Sequence, residues 1–252
     1  MNGKKAKIDE IKEEIRNCKQ CRLCESRTNA IPPEGNSEAR LMLVAQAPGK
    51  EEDKRGMMFI GPSGEVLDDL LEAAGVSRKE IWMTNLIKCM LPKYRKPKKE
   101  EIKICSQYLD REIEVVNPAT IVPLGWFAAR YIFKKYDIRI PHEKSEIFSK
   151  LLLAHNVRIY PLSHPATILY NKSYKPKIKE GYKKLRVLSR ECKWYSFCPM
   201  KRFYEEGKID EKWIQLYCKG DWESCIRYQL EEKGEPHPDW MLPDGTLDDS
   251  LR

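Results

Sequence analysis

The chain has 252 residues, enough for one domain of ordinary size or a domain with an appendage, and its apolar share of 41% supports a real core. No apolar run approaches the roughly 18 residues that cross a bilayer, and the start, MNGKKAKIDEIKEEI, is charged and helical rather than a signal peptide. A cytoplasmic protein without a membrane partner is therefore expected. The net charge of +8 is uneven: Lys88, Lys93, Arg95, Lys96, Lys98, Lys99 and Lys103 crowd one segment, and eight Lys and Arg between Lys172 and Arg190 another. With Tyr94, Tyr170 and Tyr174 interleaved, these bases point to a polyanion, nucleic acid being the usual one.

In chain order, residues 7–17 read as a short charged helix leading into a cysteine group. Leu41 to Ala45 is a short apolar run of the kind buried in a parallel sheet. It stops at Ala47-Pro48-Gly49, where proline cannot continue a ladder and glycine permits a sharp turn. A polar loop with Glu51, Glu52 and Asp53 follows, then Phe59 and a Gly-Pro-Ser-Gly turn feeding an amphipathic helix from about Glu65 to Ala74. Gly75 is placed to cap that helix, and Ser77 with Glu80 resembles a capping box. A second strand, Ile81 to Leu86, carries Thr84-Asn85 near its end. After a Pro/Lys loop, Leu91 to Pro97, comes a helix from about Lys98 to Val116. Ala119 to Leu124 is a third strand, closed by Gly125 before the helix Trp126–Phe133. Val157 to Leu162 is a fourth, closed by Ser163-His164-Pro165-Ala166.

Strands alternating with helices imply an α/β fold, here a three-layer α/β/α sandwich around a four-stranded parallel sheet. The loops after Ala45, Leu86 and Leu162 then share the carboxyl edge of that sheet, where open α/β sheets build their sites. A small, mainly helical, cysteine-rich extension follows, so the division expected is 1–190 and 191–252.

Nine cysteines without a secretion signal need an explanation other than disulfides. Cys18, Cys21 and Cys24 form a C-x2-C-x2-C, while Cys89 and Cys105 lie far downstream. A close pair joined by two distant thiolates is a four-ligand site for zinc or an iron–sulfur cluster. Free buried thiols are the plainer alternative, and a C-x2-C beside Arg and Lys weighs against it.

Taken together, AQAPG, EED, FIGPSG, TNLIKC, a cysteine sixteen residues on, PLG and HPATIL resemble the family 4 uracil-DNA glycosylases, the iron–sulfur type of archaea and thermophilic bacteria. The resemblance covers roughly Asn17 to Lys184, about two thirds of the chain, with the motifs in order. Leu23 and Arg27 fit the family register counted from Cys21, so the resemblance implies Cys18, Cys21, Cys89 and Cys105 as ligands of a structural [4Fe-4S] cluster and leaves Cys24 as an extra thiol.

The activity implied is hydrolysis of the N-glycosidic bond of a uracil flipped out of DNA. By resemblance, Phe59 stacks on the base and Asn85 reads its edge, donating to O4 and accepting from N3–H. His164 donates to O2; Ala47 and Ser163 border the base, and Pro48, Gly49, Pro165 and Ala166 hug the DNA backbone. One departure stands out: where the family has Gly-Glu, this chain has Ala45-Gln46. Gln46 cannot act as a base, although its amide can still hold a water. Glu52 and Asp53 remain as water-holders. That departure leaves two alternatives open, excision of another deaminated base such as hypoxanthine and a non-catalytic DNA binder.

For the DNA itself, Lys93 and Arg95 in the Pro/Lys loop and the segment Asn171–Lys179 suit phosphate contact. Leu169 and Tyr170 resemble the family's wedge, the bulky group that fills the gap left by the extruded nucleotide. A core position for Leu169 is the alternative.

Glu191 to Arg252 falls outside the resemblance. It is rich in aromatics and holds Cys192, Cys198, Cys218 and Cys225, spaced C-x5-C-x19-C-x6-C. Helices over Lys201–Glu206 and Asp210–Lys233 would put Cys218 and Cys225 two turns apart on one face. So small a segment usually needs a staple, and four thiolates can supply a second iron–sulfur cluster or a zinc site. The alternative is that the aromatics pack on the main domain with the cysteines simply buried. A monomer is expected, with the extension available to a repair or replication partner.

Overall fold

The structure is a computed structural model that describes residues 2–154 and 157–252. Its centre is a sheet of strands β1 (Glu34–Gly35), β2 (Leu41–Ala45), β3 (Ile81–Asn85), β4 (Thr120–Pro123), β5 (Leu152–Ala154) and β6 (Val157–Ile159) in the order β1-β3-β2-β4-β6-β5. The four expected strands, β3, β2, β4 and β6, pair in parallel through registers such as Val44 with Thr84 and Leu43 with Val122.

Six strands rather than four is a correction, and both additions are antiparallel edges. β1 is only two residues long, too short to show an alternation. It lies so close to β3 that a Cβ on Gly35 would stand 2.0 Å from the Ile81 carbonyl oxygen. β5 sits in the apolar run just ahead of Val157, where its residues read as a prelude to β6. The ladder of β6 ends at Ile159, yet the chain stays beside β4: Leu162 donates to the Pro123 carbonyl and Gly125 to that of Leu162.

The alternation of a pleated strand explains the three layers. Met42 and Val44 of β2 face one core with Ile11, Leu109 and Phe133, while Leu41, Leu43 and Ala45 face the other with Leu67, Leu71 and Tyr182. Helices Asn2–Asn17, Lys99–Val116 and Trp126–Lys135 cover the first face; Pro62–Ala74 and Lys175–Lys183 cover the second.

Helix Pro62–Ala74 begins three residues before its expected start because Pro62 occupies the first turn, where a missing N–H costs nothing. It ends at Gly75, φ 63, with Val76 donating to the Leu71 carbonyl. Leu67, Leu70 and Leu71 are buried along it, each worth about 1.5–3 kcal/mol in burial. Ser77 and Glu80 form the expected capping box, on a 3-10 turn that leads into β3. The N-terminal helix is longer than expected, Asn2–Asn17.

The extension packs on the amino ends of the strands, opposite the shared carboxyl edge. Arg158 of β6 is fully buried, donating to Thr120 Oγ1 at 3.0 Å and to the Gln215 carbonyl at 3.1 Å. Arg40, just ahead of β2, pairs with Glu191 at 2.9 Å, and Trp222 donates to the Val187 carbonyl at 3.1 Å. The single helix expected over Asp210–Lys233 is instead broken. A short helix, Glu211–Trp213, runs into a π-helical turn, Ile214–Cys218, and the helix Ile226–Lys233 follows separately. Gly220 makes the break: a Cβ there would stand 2.3 Å from the Leu216 carbonyl oxygen. Among the described residues no helix is long and apolar enough to cross a membrane.

Candidate active site

Gln46 to Gly49 after β2, Asn85 at the end of β3 and His164 beyond β6 line one pocket of about 320 Å³, together with Glu52, Phe59 and Tyr170. The carboxyl edge of the sheet therefore gathers the residues that the loop spacing assigns to it.

Glu52 enters this pocket from the short helix Lys50–Arg55 and accepts the Gly61 N–H at 2.9 Å. A Cβ on Gly49 would stand 2.5 Å from its Oε2, and one on Gly61 3.2 Å from its Oε1. The two glycines thus make the room that admits a buried carboxylate.

Phe59 adopts φ 50, a left-handed backbone that costs a bulky residue energy and persists only when its surroundings enforce it. Arg78 is one enforcer: it donates to the Phe59 carbonyl at 2.7 Å and the Met58 carbonyl at 3.4 Å while pairing with Asp68. Gly64 is the other, since a Cβ there would lie 1.8 Å from the Phe59 carbonyl oxygen.

Asn85 is buried, its Nδ2 donating to Met58 Sδ at 3.1 Å. Beneath it Lys88 Nζ donates to the Asn85 carbonyl at 2.7 Å and to Thr84 Oγ1 at 2.6 Å, and forms an ion pair with the Glu112 carboxylate at 2.6 Å. Lys88 therefore leaves the basic surface to which its neighbours assigned it. Sequence alone had no means of pairing it with Glu112, which lies on the helix Lys99–Val116.

His164 Nδ1 accepts the Ala166 N–H at 3.1 Å, so the neutral ring carries its proton on Nε2. Burial lowers its pKa to about 4, with the negative charge of Glu52 opposing the shift. At neutral pH the ring is an uncharged donor. Its centroid lies 6.4 Å from that of Phe59, with the planes tilted by 33°. Gly125 backs it: a Cβ there would stand 3.3 Å from His164 Cβ.

The other expected residues divide. Ala47, Pro48, Gly49, Arg95 and Ala166 line the pocket. Asp53 does not: its carboxylate accepts the N–H groups of Thr28 (3.0 Å) and Asn29 (3.3 Å), which removes it as a water-holder. Ser163 and Pro165 are not among the pocket's lining residues, and Ser163 offers its carbonyl to the Tyr182 hydroxyl at 3.1 Å. Arg95 is bound bidentately by Glu101, at 2.5 and 2.9 Å, so its charge at the pocket mouth is already partnered. Lys93 stands on the surface of the same loop at φ 52. Leu169, 48% exposed, and Tyr170, 89% exposed, project from helix Ala166–Tyr170, so the core alternative for Leu169 is set aside. Met58, Ser63, Leu91 and Tyr94 complete the lining.

Cys18 and Cys21 pack against the same core as the buried Cys89 and Cys105. Arg27 donates to Cys89 Sγ at 3.0 Å and the Lys88 N–H to Cys105 Sγ at 3.3 Å. Among the described residues no group of three or more His, Cys, Asp or Glu side chains could hold a metal ion. The donor set, four thiols with N–H donors directed at two of the sulfurs, fits the surroundings of an iron–sulfur cluster.

The profile of the Uracil DNA glycosylase superfamily matches residues 32–186. A type-4 uracil-DNA glycosylase of Sulfurisphaera tokodaii is 37% identical over 193 residues, 75% of this chain and 88% of the relative. One of Saccharolobus solfataricus is 37% identical over 183 residues, 71% of this chain and 85% of its own. One of Archaeoglobus fulgidus is 34% identical over 184 residues, 72% of this chain and 92% of its own.

Proposed function

Because the chain belongs to the uracil DNA glycosylase superfamily, we propose that it excises uracil from DNA by hydrolysing the N-glycosidic bond of a flipped-out nucleotide. The observation that carries this reading is His164, whose Nδ1 is occupied and whose Nε2–H is an uncharged donor beside Phe59 and Asn85.

The base enters the pocket and stacks on Phe59, held by Arg78 and Gly64 at the required height. Asn85 presents its amide to the O4 and N3–H edge, a pairing that cytosine cannot reproduce. As the glycosidic bond lengthens, negative charge gathers on uracil O2 and positive charge on the sugar. The Nε2–H of His164 donates to O2 and stabilises the leaving anion without giving up a proton, which preorganised neutral donors do well. Among the described residues Glu52 is the one carboxylate that lines the pocket, and with the Gln46 amide it holds the attacking water. Tyr170 and Leu169 fill the vacated stack.

Cys18, Cys21, Cys89 and Cys105 hold a [4Fe-4S] cluster in this reading. When bound it supplies covalent ties between the N-terminal segment and the loop beyond β3, and no step of the hydrolysis is assigned to it. Residues 1–190 then form the glycosylase unit and 191–252 a separate extension.

An Asn85→Asp variant tests the edge reading. It should lose uracil excision and gain cytosine excision in single-turnover assays, because a protonated carboxyl presents the donor–acceptor pattern that cytosine needs. Uracil excision as fast as that of the parent would remove Asn85 from the base edge.

A further inference from the structure

The extension brings Cys192, Cys198, Cys218 and Cys225 to the wall of one cavity of about 260 Å³. They arrive from four local structures. Cys198 immediately precedes helix Pro199–Glu205, Cys225 immediately precedes helix Ile226–Lys233, and Cys218 closes the π-helical turn. The Cys192 N–H donates to the Cys218 carbonyl at 2.8 Å, which joins the first cysteine to the third. We propose that these four thiolates hold a second iron–sulfur cluster, outside the region matched by the superfamily profile.

Three observations carry it. The first is volume. Zinc draws four sulfurs to about 2.3 Å from one point and needs no cavity, whereas all four cysteines line one cavity here, and their spacings of five, nineteen and six lack the tight pairs of zinc modules. The second is Arg227, which lines that space and is buried. Its Nη1 donates to the carbonyls of Pro238, Asp239 and Met241, fastening the proline-rich tail, but among the described residues its Nε is buried without an acceptor. A buried guanidinium N–H left unpaired is costly, and a cluster sulfide or cysteine sulfur is the acceptor it lacks. The third is core size. Among the described residues, the extension's own apolar cluster buries Met200, Phe203, Ile214, Cys218 and Leu251, a small core for such a segment without a staple.

The site is remote from the base pocket. Its supports, Arg40, Thr120 and Arg158, stand at the amino ends of the strands, whereas Gln46, Asn85 and His164 stand at the carboxyl ends. The second cluster is a staple for the extension, and uracil excision does not pass through it.

The test is iron, acid-labile sulfide and zinc counting on the full chain purified without oxygen, beside Cys198→Ser/Cys225→Ser and Cys21→Ser/Cys89→Ser variants. The parent should carry about eight irons and each double variant about four, as two four-iron clusters require. Full parental iron in Cys198→Ser/Cys225→Ser would overturn the proposal, as would one zinc per chain lost with that variant, or recovery of the four cysteines as disulfides. Should that variant fail to fold, Cys21→Ser/Cys89→Ser decides: about four irons retained supports the second cluster, and none overturns it. Failure of the N-terminal reading looks different, because Cys21→Ser/Cys89→Ser would then keep all the parental iron.

Discussion

The Ala166 N–H that occupies His164 Nδ1 leaves the ring a single donor, and burial keeps that donor uncharged. Removing it with His164→Ala should slow single-turnover excision by about 10²–10³-fold, the usual loss of one preorganised donor to a developing anion. The pH dependence carries its own signature. With a pKa near 4 rather than 6.5, the acid limb assigned to His164 should lie near pH 4, and excision should not change around pH 6.5 on its account. Stability follows the same sign. Between pH 6.5 and about 4 the unfolded chain takes up a proton that the folded ring refuses, so folded stability falls as pH drops through that window. Urea unfolding of the parent and His164→Gln from pH 7 to 4 should show the parent losing stability more steeply. The placing of Asn85 and His164 at strand-end loops of one pocket was legible in the sequence, whereas the roles expected of them and of Phe59 came from the family resemblance. The part played by Arg78 was not legible, since nothing local marks a surface arginine as the clamp on a backbone nineteen residues earlier.

The strand-end loops owe their shape to contacts between elements. Gly64, on the first turn of helix Pro62–Ala74, passes so close to Phe59 that Gly64→Ala must push one of them aside. It should cost about 1–3 kcal/mol in thermal unfolding, the usual effect of overpacking, and slow excision by displacing Phe59. Under β3 the Lys88–Glu112 pair is buried on both sides. Lys88→Met strands the Glu112 carboxylate and should cost about 3–5 kcal/mol, and Lys88→Met/Glu112→Leu should recover most of it. If the double variant were no more stable than the single one, the cost would lie elsewhere than in the unpaired charge. At this scale the parallel strands and capped helices were readable from apolar runs and glycine stops. The edge strands were too short to carry a period, and the C-terminal helix kept a helical pattern across Gly220 while its backbone broke there.

Across the whole molecule, the base pocket and the cysteine-rich extension occupy opposite ends of one sheet. The carboxyl end presents the base pocket, with the exposed Tyr94 and Tyr170 in its lining and Leu169 exposed next to Tyr170; the amino end carries the extension through Arg40, Arg158 and Trp222. The buried Arg158, its pKa lowered by burial to about 10, could not be anticipated from a strand pattern that reads as apolar. Binding to uracil-containing DNA should weaken steeply with salt, as expected when surface lysines such as Lys93 neutralise phosphates. The most direct measurement is single-turnover cleavage of oligonucleotides bearing uracil or hypoxanthine by the parent, His164→Ala and Gln46→Glu. Uracil release that His164→Ala nearly abolishes and Gln46→Glu raises is the result predicted. Hypoxanthine release without uracil release, or tight DNA binding with no release at all, would contradict it.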